Sequence, residues 1–144
     1  MNKIFIPILF IGFLLSVPLL AQTTYDFPES GEMSITDCGG ILYDNGGANG
    51  DYTNSSNSLV LLTAASGDLL SLNFQSFDLE NNFDFLTIYS VDDLYGVPIA
   101  SYTGNTPPTI GEEIVLETNT IYLHFTSDFS VVKEGFAIAF DCFT

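Results

Sequence analysis

Two acidic segments contain the residues whose types and spacing point to ion chemistry. Residues 77–89 include Glu80 and Asp84, and residues 125–130 include Asp128. In each segment an acid stands where an alternating apolar strand meets a loop, and strand ends far apart in sequence can meet at one edge of a sheet. Carboxylates gathered in this way repel one another, and a hard cation with oxygen ligands removes the repulsion. The pattern therefore favours a calcium-stabilised binding domain over an enzyme.

Short β-strands are the elements that must position these acids. After residue 21, apolar residues recur with a period of two, and Gly, Asn, Asp, Ser and Pro separate the runs. We expect eight strands, near residues 41–43, 59–64, 69–74, 85–89, 97–102, 114–117, 121–125 and 135–140. Ser66-Gly67-Asp68 fits a hairpin turn between the second and third of them. This number and spacing of strands predict an all-β, antiparallel sandwich.

Residues 1–21 have the composition of a signal peptide. Lys3 supplies a positive charge, residues 4–20 form an apolar segment, and Ala21 is a small residue at a plausible cleavage point. An uncleaved membrane anchor is the alternative, but the polar, acidic residues that follow provide no stop-transfer pattern. We therefore expect a secreted protein, extracellular or periplasmic, that is not embedded in a membrane after cleavage. Residues 22–37 are expected to be a polar, partly disordered leader to a domain at residues 38–144.

Charge excludes one class of partner. The chain has 18 acidic residues against 2 basic ones, for a formal net charge of −16. Nucleic acid is excluded because phosphate binding needs clustered cations, and an anionic membrane surface is disfavoured for the same reason. The negative charge either keeps an exported protein soluble or binds cations, and both roles can hold together.

The two cysteines lie near the ends of the expected domain. Cys38 and Cys142 are an even pair in a chain expected to be exported, which favours a disulfide. Closing a loop of about 100 residues contributes about 4 to 5 kcal/mol in the chain-entropy model. Two thiols and one distant histidine do not match a zinc spacing, so we expect the bridge.

The residue pattern argues against catalysis. His124 is the only histidine, and its alternation with Leu123 and Phe125 predicts that it points into solvent. No nucleophile elbow or other local arrangement indicates a catalytic triad. Tyr89, Tyr95 and Tyr102 are expected on outer faces or in loops, where they can contact a sugar or a protein side chain. Single exposed aromatics are also normal on a sandwich.

Several short motifs follow one another in order from Cys38 to Cys142. They are Cys-Gly-Gly at 38–40, Gly-Asp-Tyr at 50–52, residues 74–80, residues 83–89, residues 125–130 and Gly-Phe at 135–136. In this order and spacing they resemble a CUB domain, particularly the bacterial CUB-like domains of secreted proteins. The resemblance implies a jelly-roll-like β-sandwich, in agreement with the strand pattern.

The resemblance also implies a calcium site. Carried over motif by motif, the ligands are Glu80, Asp84 and Asp128, with a backbone carbonyl near Ser130 and with Tyr52 as the supporting tyrosine. The loop between Glu80 and Asp84 is shorter than in animal CUB domains and lacks their cysteine. Val131 stands where a polar residue is frequent, and a bridge from Cys38 to Cys142 departs from the usual animal pairing. The alternative is that the acids belong to solvated or hydrogen-bonded turns.

The sequence thus predicts a secreted, non-catalytic CUB-like binding module. In animal CUB domains, calcium orders loops that present acids to a basic side chain, often lysine, of a protein partner. The resemblance therefore implies an extracellular protein ligand held at calcium-ordered acidic loops. The alternative is a carbohydrate-binding or surface-adhesion module that uses exposed aromatics and does not require calcium.

Overall fold

Two stacked five-stranded β-sheets form the part of the protein that the structure describes. The computed structural model describes residues 22–67, 69–106 and 109–144, so the predicted signal peptide lies outside the described residues. In chain order the strands are β1 (Thr24–Asp26), β2 (Ser30–Asp37), β3 (Gly40–Tyr43), β4 (Asn57–Ala64), β5 (Leu69–Asp78), β6 (Phe85–Ser90), β7 (Ala100–Tyr102), β8 (Glu113–Leu116), β9 (Thr120–Thr126) and β10 (Gly135–Phe143). One sheet has the order β1-β3-β10-β5-β8 and the other β2-β4-β9-β6-β7. Within the described ranges, no helix is long and apolar enough to span a bilayer.

The core lies between the two sheets and follows the predicted alternation. On β9, Ile121, Leu123 and Phe125 are fully buried, and the residues between them are only partly covered. On β10, Phe136 and Ile138 face the same core. Aromatic rings meet edge to face there, as between Phe125 and Phe136, whose centroids lie 5.4 Å apart. The sandwich and its inward residues are therefore confirmed.

A β-bulge in β5 keeps two phenylalanines on the core side. Ile138 pairs with Phe74 and Phe136 pairs with Phe77, so three steps along β5 match two along β10. The extra residue lies in the Gln75–Ser76 pair, where both side chains are exposed. A bulge of this kind shifts the alternation by one residue. Phe74 and Phe77 both reach the core for this reason.

The outer strands β1 and β2 correct the sequence analysis in two respects. Residues 22–37 were expected to be partly disordered, but they contain all of β1 and β2, and Phe27 between the strands and Ile35 on β2 are buried against the core. Both strands pair in parallel, β1 with β3 and β2 with β4, so each sheet is mixed and not purely antiparallel. An edge strand needs only a few inward apolar side chains, which explains why its polar composition concealed it.

The predicted hairpin at residues 66–68 is wrong. β4 pairs with β2 and β9, whereas β5 pairs with β10 and β8. The chain therefore crosses from one sheet to the other between β4 and β5. Two apolar strands in succession satisfy the same local pattern whether they pair with each other or face each other across a core.

Two aromatic predictions also need correction. Tyr102 was expected outside, but β7 turns it inward, and its ring packs edge to face on Phe74 with centroids 5.3 Å apart. His124 lies on the outer face of its sheet as predicted, but it is half-buried and not simply solvated. The ring of Tyr95, from the loop after β6, lies 5.3 Å from the His124 ring and covers it.

The expected disulfide is confirmed. Cys38 and Cys142 are bonded, with Cα atoms 5.2 Å apart. Cys38 directly follows β2 of one sheet and Cys142 belongs to β10 of the other. The bridge therefore joins the two sheets at one end of the sandwich.

Candidate metal centre

Three acids meet at the end of the sandwich away from the disulfide. Glu80 follows β5, Asp84 precedes β6 and Asp128 follows β9. β6 and β9 are antiparallel neighbours in which Phe85 pairs with Thr126, so the start of one strand lies beside the end of the other. One carboxylate oxygen from each acid lies within 4.8 Å of the others. The structure therefore brings together the three acids that the sequence singled out.

Asp84 is the fixed member of the group. Its side chain is 0% exposed, and each of its oxygens accepts one hydrogen bond. The hydroxyl of Tyr52 donates to Oδ2 at 2.5 Å, and the backbone N–H of Asp128 donates to Oδ1 at 2.8 Å. Each carboxylate oxygen keeps a second lone pair. Asp84 is therefore held in place and still has lone pairs for an ion.

Tyr52 connects two of the acids. Its buried hydroxyl donates to Asp84 and accepts a hydrogen bond from the backbone N–H of Glu80 at 3.0 Å. Burial, followed by the hydrogen bond to Asp84, raises the pKa of Tyr52, so the hydroxyl stays protonated and remains a donor. Its ring packs edge to face on Phe125, 5.4 Å between centroids. The tyrosine therefore positions the acids from the core side.

The short loop from Glu80 to Asp84 is a closed turn. The backbone N–H of Asp84 donates to the Glu80 carbonyl at 3.1 Å. Thr103 braces the turn from outside, because its Oγ1 accepts from the Asn82 N–H at 2.8 Å and donates to the Glu80 carbonyl at 3.2 Å. Asn82 has a φ of +67°, which asparagine tolerates better than most residues. The shortened loop therefore still directs both acids to the same place.

The loop after β9 is held by its own hydrogen bonds. Asp128 Oδ1 accepts from the Ser130 N–H at 2.8 Å, and the Asp128 carbonyl accepts from the Ser55 N–H. Val131 follows at a φ of +57° and Ser55 has a φ of +59°. A β-branched residue in the left-handed region is strained, and such strain clusters at ligand-binding segments. Ser130 lies beside the acids, and its predicted carbonyl ligand stays a prediction.

The charge of Glu80 is the least compensated of the three. Burial raises the pKa of Glu80 above 4.5, and repulsion by Asp128 and Asp84 raises it further, while Lys133 opposes the shift. Oε2 of Glu80 is buried and has no hydrogen-bond partner among the described residues. A buried carboxylate oxygen without a partner is unfavourable unless something else satisfies it. A hard cation with oxygen ligands fits this donor set.

Several residues around the acids were not assigned a role from the sequence. Ser127 Oγ accepts from the Ser56 N–H at 2.9 Å and donates to the Thr53 carbonyl at 2.7 Å, which ties the Tyr52 loop to β9. Phe83 and Phe129 are 59% and 83% exposed beside Asp84 and Asp128. Both phenylalanines lie in loops, outside the alternating strands, where a large apolar side chain does not reach the core. Their position in the sequence was therefore the signal that could have identified them as exposed residues beside the acids.

Asp44 is a buried acid with a structural task. Its oxygens accept from the N–H groups of Gly46 and Phe136, both at 2.8 Å. Gly135 has a φ of +78°, and a Cβ there would lie 1.8 Å from Oδ2 of Asp44. Burial raises the pKa of Asp44, although both hydrogen bonds favour its ionised form. Asp44 therefore joins the end of β3 to the start of β10.

Comparison with curated proteins gives relatives at low identity. The chain is 30% identical over 84 residues to human Tolloid-like protein 1, which covers 56% of this chain and 8% of that protein. It is 27% identical over 120 residues to human Procollagen C-endopeptidase enhancer 2, which covers 75% of this chain and 28% of that protein. The chain therefore spans only a small part of these relatives.

Solved structures share the fold. The MASP-1 CUB2 domain bound to Ca2+ matches with a TM-score of 0.62 at 20% identity, over 75% of this chain and 96% of that one. The full extracellular region of zebrafish Gpr126/Adgrg6 matches with a TM-score of 0.63 at 24% identity, over 76% of this chain and 14% of that one. The family model of the CUB domain matches residues 31–140, which include most of both sheets, except β1, and all three acids. The chain belongs to the CUB domain family.

Proposed function

We propose that this protein is a secreted, non-catalytic module that binds one calcium ion and, through it, a protein ligand. CUB domains are typically extracellular protein-binding modules and are generally not catalytic. The observation that carries the proposal is the group of three acids within 4.8 Å, one of which has a buried oxygen without a partner.

Calcium suits the donor set better than magnesium does. Glu80, Asp84 and Asp128 would supply carboxylate oxygens, and Ser130 would supply its backbone carbonyl. Calcium accepts six to eight oxygen ligands in flexible geometry, whereas magnesium demands a small, near-octahedral cage. Ligands from two separate loops fit the flexible case. The calcium in the MASP-1 CUB2 structure supports the choice by likeness of fold.

A basic side chain is the group that a protein partner would bring to this acidic site. Three carboxylates carry one more charge than one Ca²⁺ ion neutralises. Lys133, whose charge acts on Glu80, balances that excess in the free protein, so a lysine of the partner would take the place of Lys133 beside the acids. Phe83, Phe129 and Val131 are exposed around the acids. A lysine of the partner would lay its apolar stem against these side chains and direct its ammonium group at the acids.

Two features support export of the chain. The disulfide between Cys38 and Cys142 is typical of oxidising compartments. Residues 1–21 have the composition of a signal peptide. Both agree with an extracellular ligand.

The test uses immobilised peptides that carry one lysine among apolar residues, beside copies in which the lysine is acetylated. We expect the protein to bind lysine peptides in calcium, and to lose that binding in chelator, on acetylation, or with Asp128→Asn. Glu117→Gln, an exposed acid at the opposite end, serves as the matched control and should leave binding unchanged. Binding that persists in chelator would contradict the proposal.

A further inference from the structure

The outer face of the sheet β2-β4-β9-β6-β7 carries a second group of aromatic side chains. Across the central strands, Tyr122 of β9 pairs with Tyr89 of β6, and His124 of β9 pairs with Thr87 of β6. These positions alternate with the buried residues Leu123 and Ile88, so they face outward. Thr87 faces outward but is only 8% exposed, so we call the other four side chains, Tyr89, Tyr95, Tyr122 and His124, the outer platform.

Tyr95 is held over this platform by a strained loop. It is 61% exposed and has a φ of +65°, a left-handed conformation that is rare for a large side chain. Asp93 closes the loop, since its Oδ2 accepts from the Val97 N–H at 3.0 Å and its carbonyl accepts from the Gly96 N–H at 3.1 Å. The Tyr95 ring lies 6.0 Å from that of Tyr89 and 5.3 Å from that of His124. The hydrogen bonds of the loop therefore place an exposed aromatic ring beside Tyr89 and His124.

The platform is uncharged in a strongly acidic protein. Within the described strands β4, β9 and β6, every outward position is free of Asp, Glu, Lys and Arg, although the chain has a net charge of −16. The nearest acids stand at the margin, Glu32 on β2 and Asp92 and Asp93 in the Tyr95 loop. The overall negative field repels polyanions, and an acid-free surface offers little to a basic partner. Charge therefore favours a neutral ligand.

Hydrogen-bonding groups lie among the rings. His124 Nε2 is 2.8 Å from Asn57 Oδ1, and Oγ of the exposed Ser101 is 3.0 Å from Oγ1 of the buried Thr87. With the amide oxygen as acceptor, Nε2 carries the proton and Nδ1 is left as an acceptor. Burial lowers the pKa of His124, which keeps the ring neutral near pH 7. The platform thus combines flat apolar rings with neutral donors and acceptors.

From these observations we infer that the outer platform binds a neutral polysaccharide, independently of calcium. A pyranose ring has apolar C–H faces that stack on an aromatic ring and a rim of hydroxyls that bond to neutral polar groups. Three neighbouring strands span about 10 Å, which is room for roughly two consecutive sugar rings. The inference does not rest on the proposed calcium site, which lies at the end of the sandwich.

Affinity electrophoresis in the presence of chelator tests this. Xyloglucan, a mixed-linkage β-glucan and dextran are the neutral probes, and heparin is the acidic one. We expect at least one neutral polysaccharide to retard the protein and heparin not to. Tyr95→Ala should weaken binding about tenfold or more, and Tyr95→Phe should retain it. Val115→Ala, an exposed apolar residue of the opposite sheet, should leave binding unchanged.

Three outcomes of the binding experiment would overturn the inference. They are the absence of binding to any of the neutral probes, binding that Tyr95→Ala does not weaken, and binding that appears only with calcium. Sedimentation velocity adds an independent check on the same variants. A concentration-dependent dimer that Tyr95→Ala dissociates would assign the platform to a second copy of the chain.

Discussion

Glu80 and Asp84 are both acids, but their carboxylate oxygens differ in hydrogen bonding. Both oxygens of Asp84 accept a hydrogen bond, from the Tyr52 hydroxyl and from the Asp128 N–H. Oε2 of Glu80 is buried without a partner among the described residues. Replacing Asp84 would therefore also disturb the positioning of Tyr52, whereas replacing Glu80 removes mainly an uncompensated charge. Glu80 is the better residue with which to separate ion binding from folding.

Glu80→Gln should raise the melting temperature of the calcium-free protein at pH 7. The pKa of Glu80 is raised in the folded state, so folding favours its protonated form. Its contribution to stability is therefore fully present below the unfolded pKa of 4.5 and is lost as the pH rises through the folded pKa. The ionised side chain is thus unfavourable at neutral pH, and the amide removes that penalty. Thermal unfolding in chelator measures the difference, which should disappear near pH 4.5.

The same variant should gain less from calcium than the wild type does, since one ligand is weakened. Glu117→Gln provides the control, because that acid is exposed at the opposite end of the sandwich. A Glu80→Gln protein that melts below the wild type in chelator would show that the carboxylate stabilises the fold without an ion.

At the residue scale, the acids were predictable and their surroundings were not. Glu80, Asp84 and Asp128 stand in motifs with fixed spacing, so a resemblance carries them over. Val131 and Tyr95 have left-handed conformations in loops that are closed by hydrogen bonds to the nearby acids Asp128 and Asp93. No local rule places a bulky residue at positive φ, because local preference opposes it.

Among the elements, β5 shows how one extra residue sets the core. Its bulge at Gln75–Ser76 lets Phe74 and Phe77 face the same side while β10 continues without interruption. Without the bulge, one of the two rings would face solvent. The bulge also lies a few residues before Glu80, so it helps to fix where that acid emerges.

Two single-residue deletions should distinguish the bulge residue Gln75 from the regular strand residue Asn73. Deletion of Gln75 restores regular alternation from Leu72 through Phe74 to Phe77, so the protein should stay folded with a modest loss of stability. Deletion of Asn73 makes Leu72 and Phe74 adjacent, which turns one of two buried side chains outward. We expect that protein to be unfolded. Circular dichroism and urea titration report both results, and equal losses for the two deletions would refute the role given to the bulge.

The elements show where sequence patterns reach their limit. All eight predicted strands correspond to β3 through β10, because each buries alternate apolar side chains. β1 and β2 were missed, since edge strands with few apolar residues resemble polar loops. The pairing of β4 and β5 with different sheets was also missed, because periodicity defines a face and not a partner.

For the molecule as a whole, the disulfide and the acids lie at opposite ends. Cys38 and Cys142 are 104 residues apart and join the two sheets, which contributes about 4 to 5 kcal/mol in the chain-entropy model. With the core and the bridge in place, the fold should not depend on an ion. Calcium should therefore add stability to a protein that is already folded.

The most direct measurement is thermal unfolding of the wild-type protein with calcium, with magnesium and with chelator. An ion that binds only the native state adds about 2.7 kcal/mol at 100 times its Kd, which is roughly 10 °C for a domain of this size. We predict an increase that grows with calcium concentration, a smaller one with magnesium, and none in Asp128→Asn. A melting temperature that calcium leaves unchanged, or that rises equally in Asp128→Asn, would contradict the calcium site.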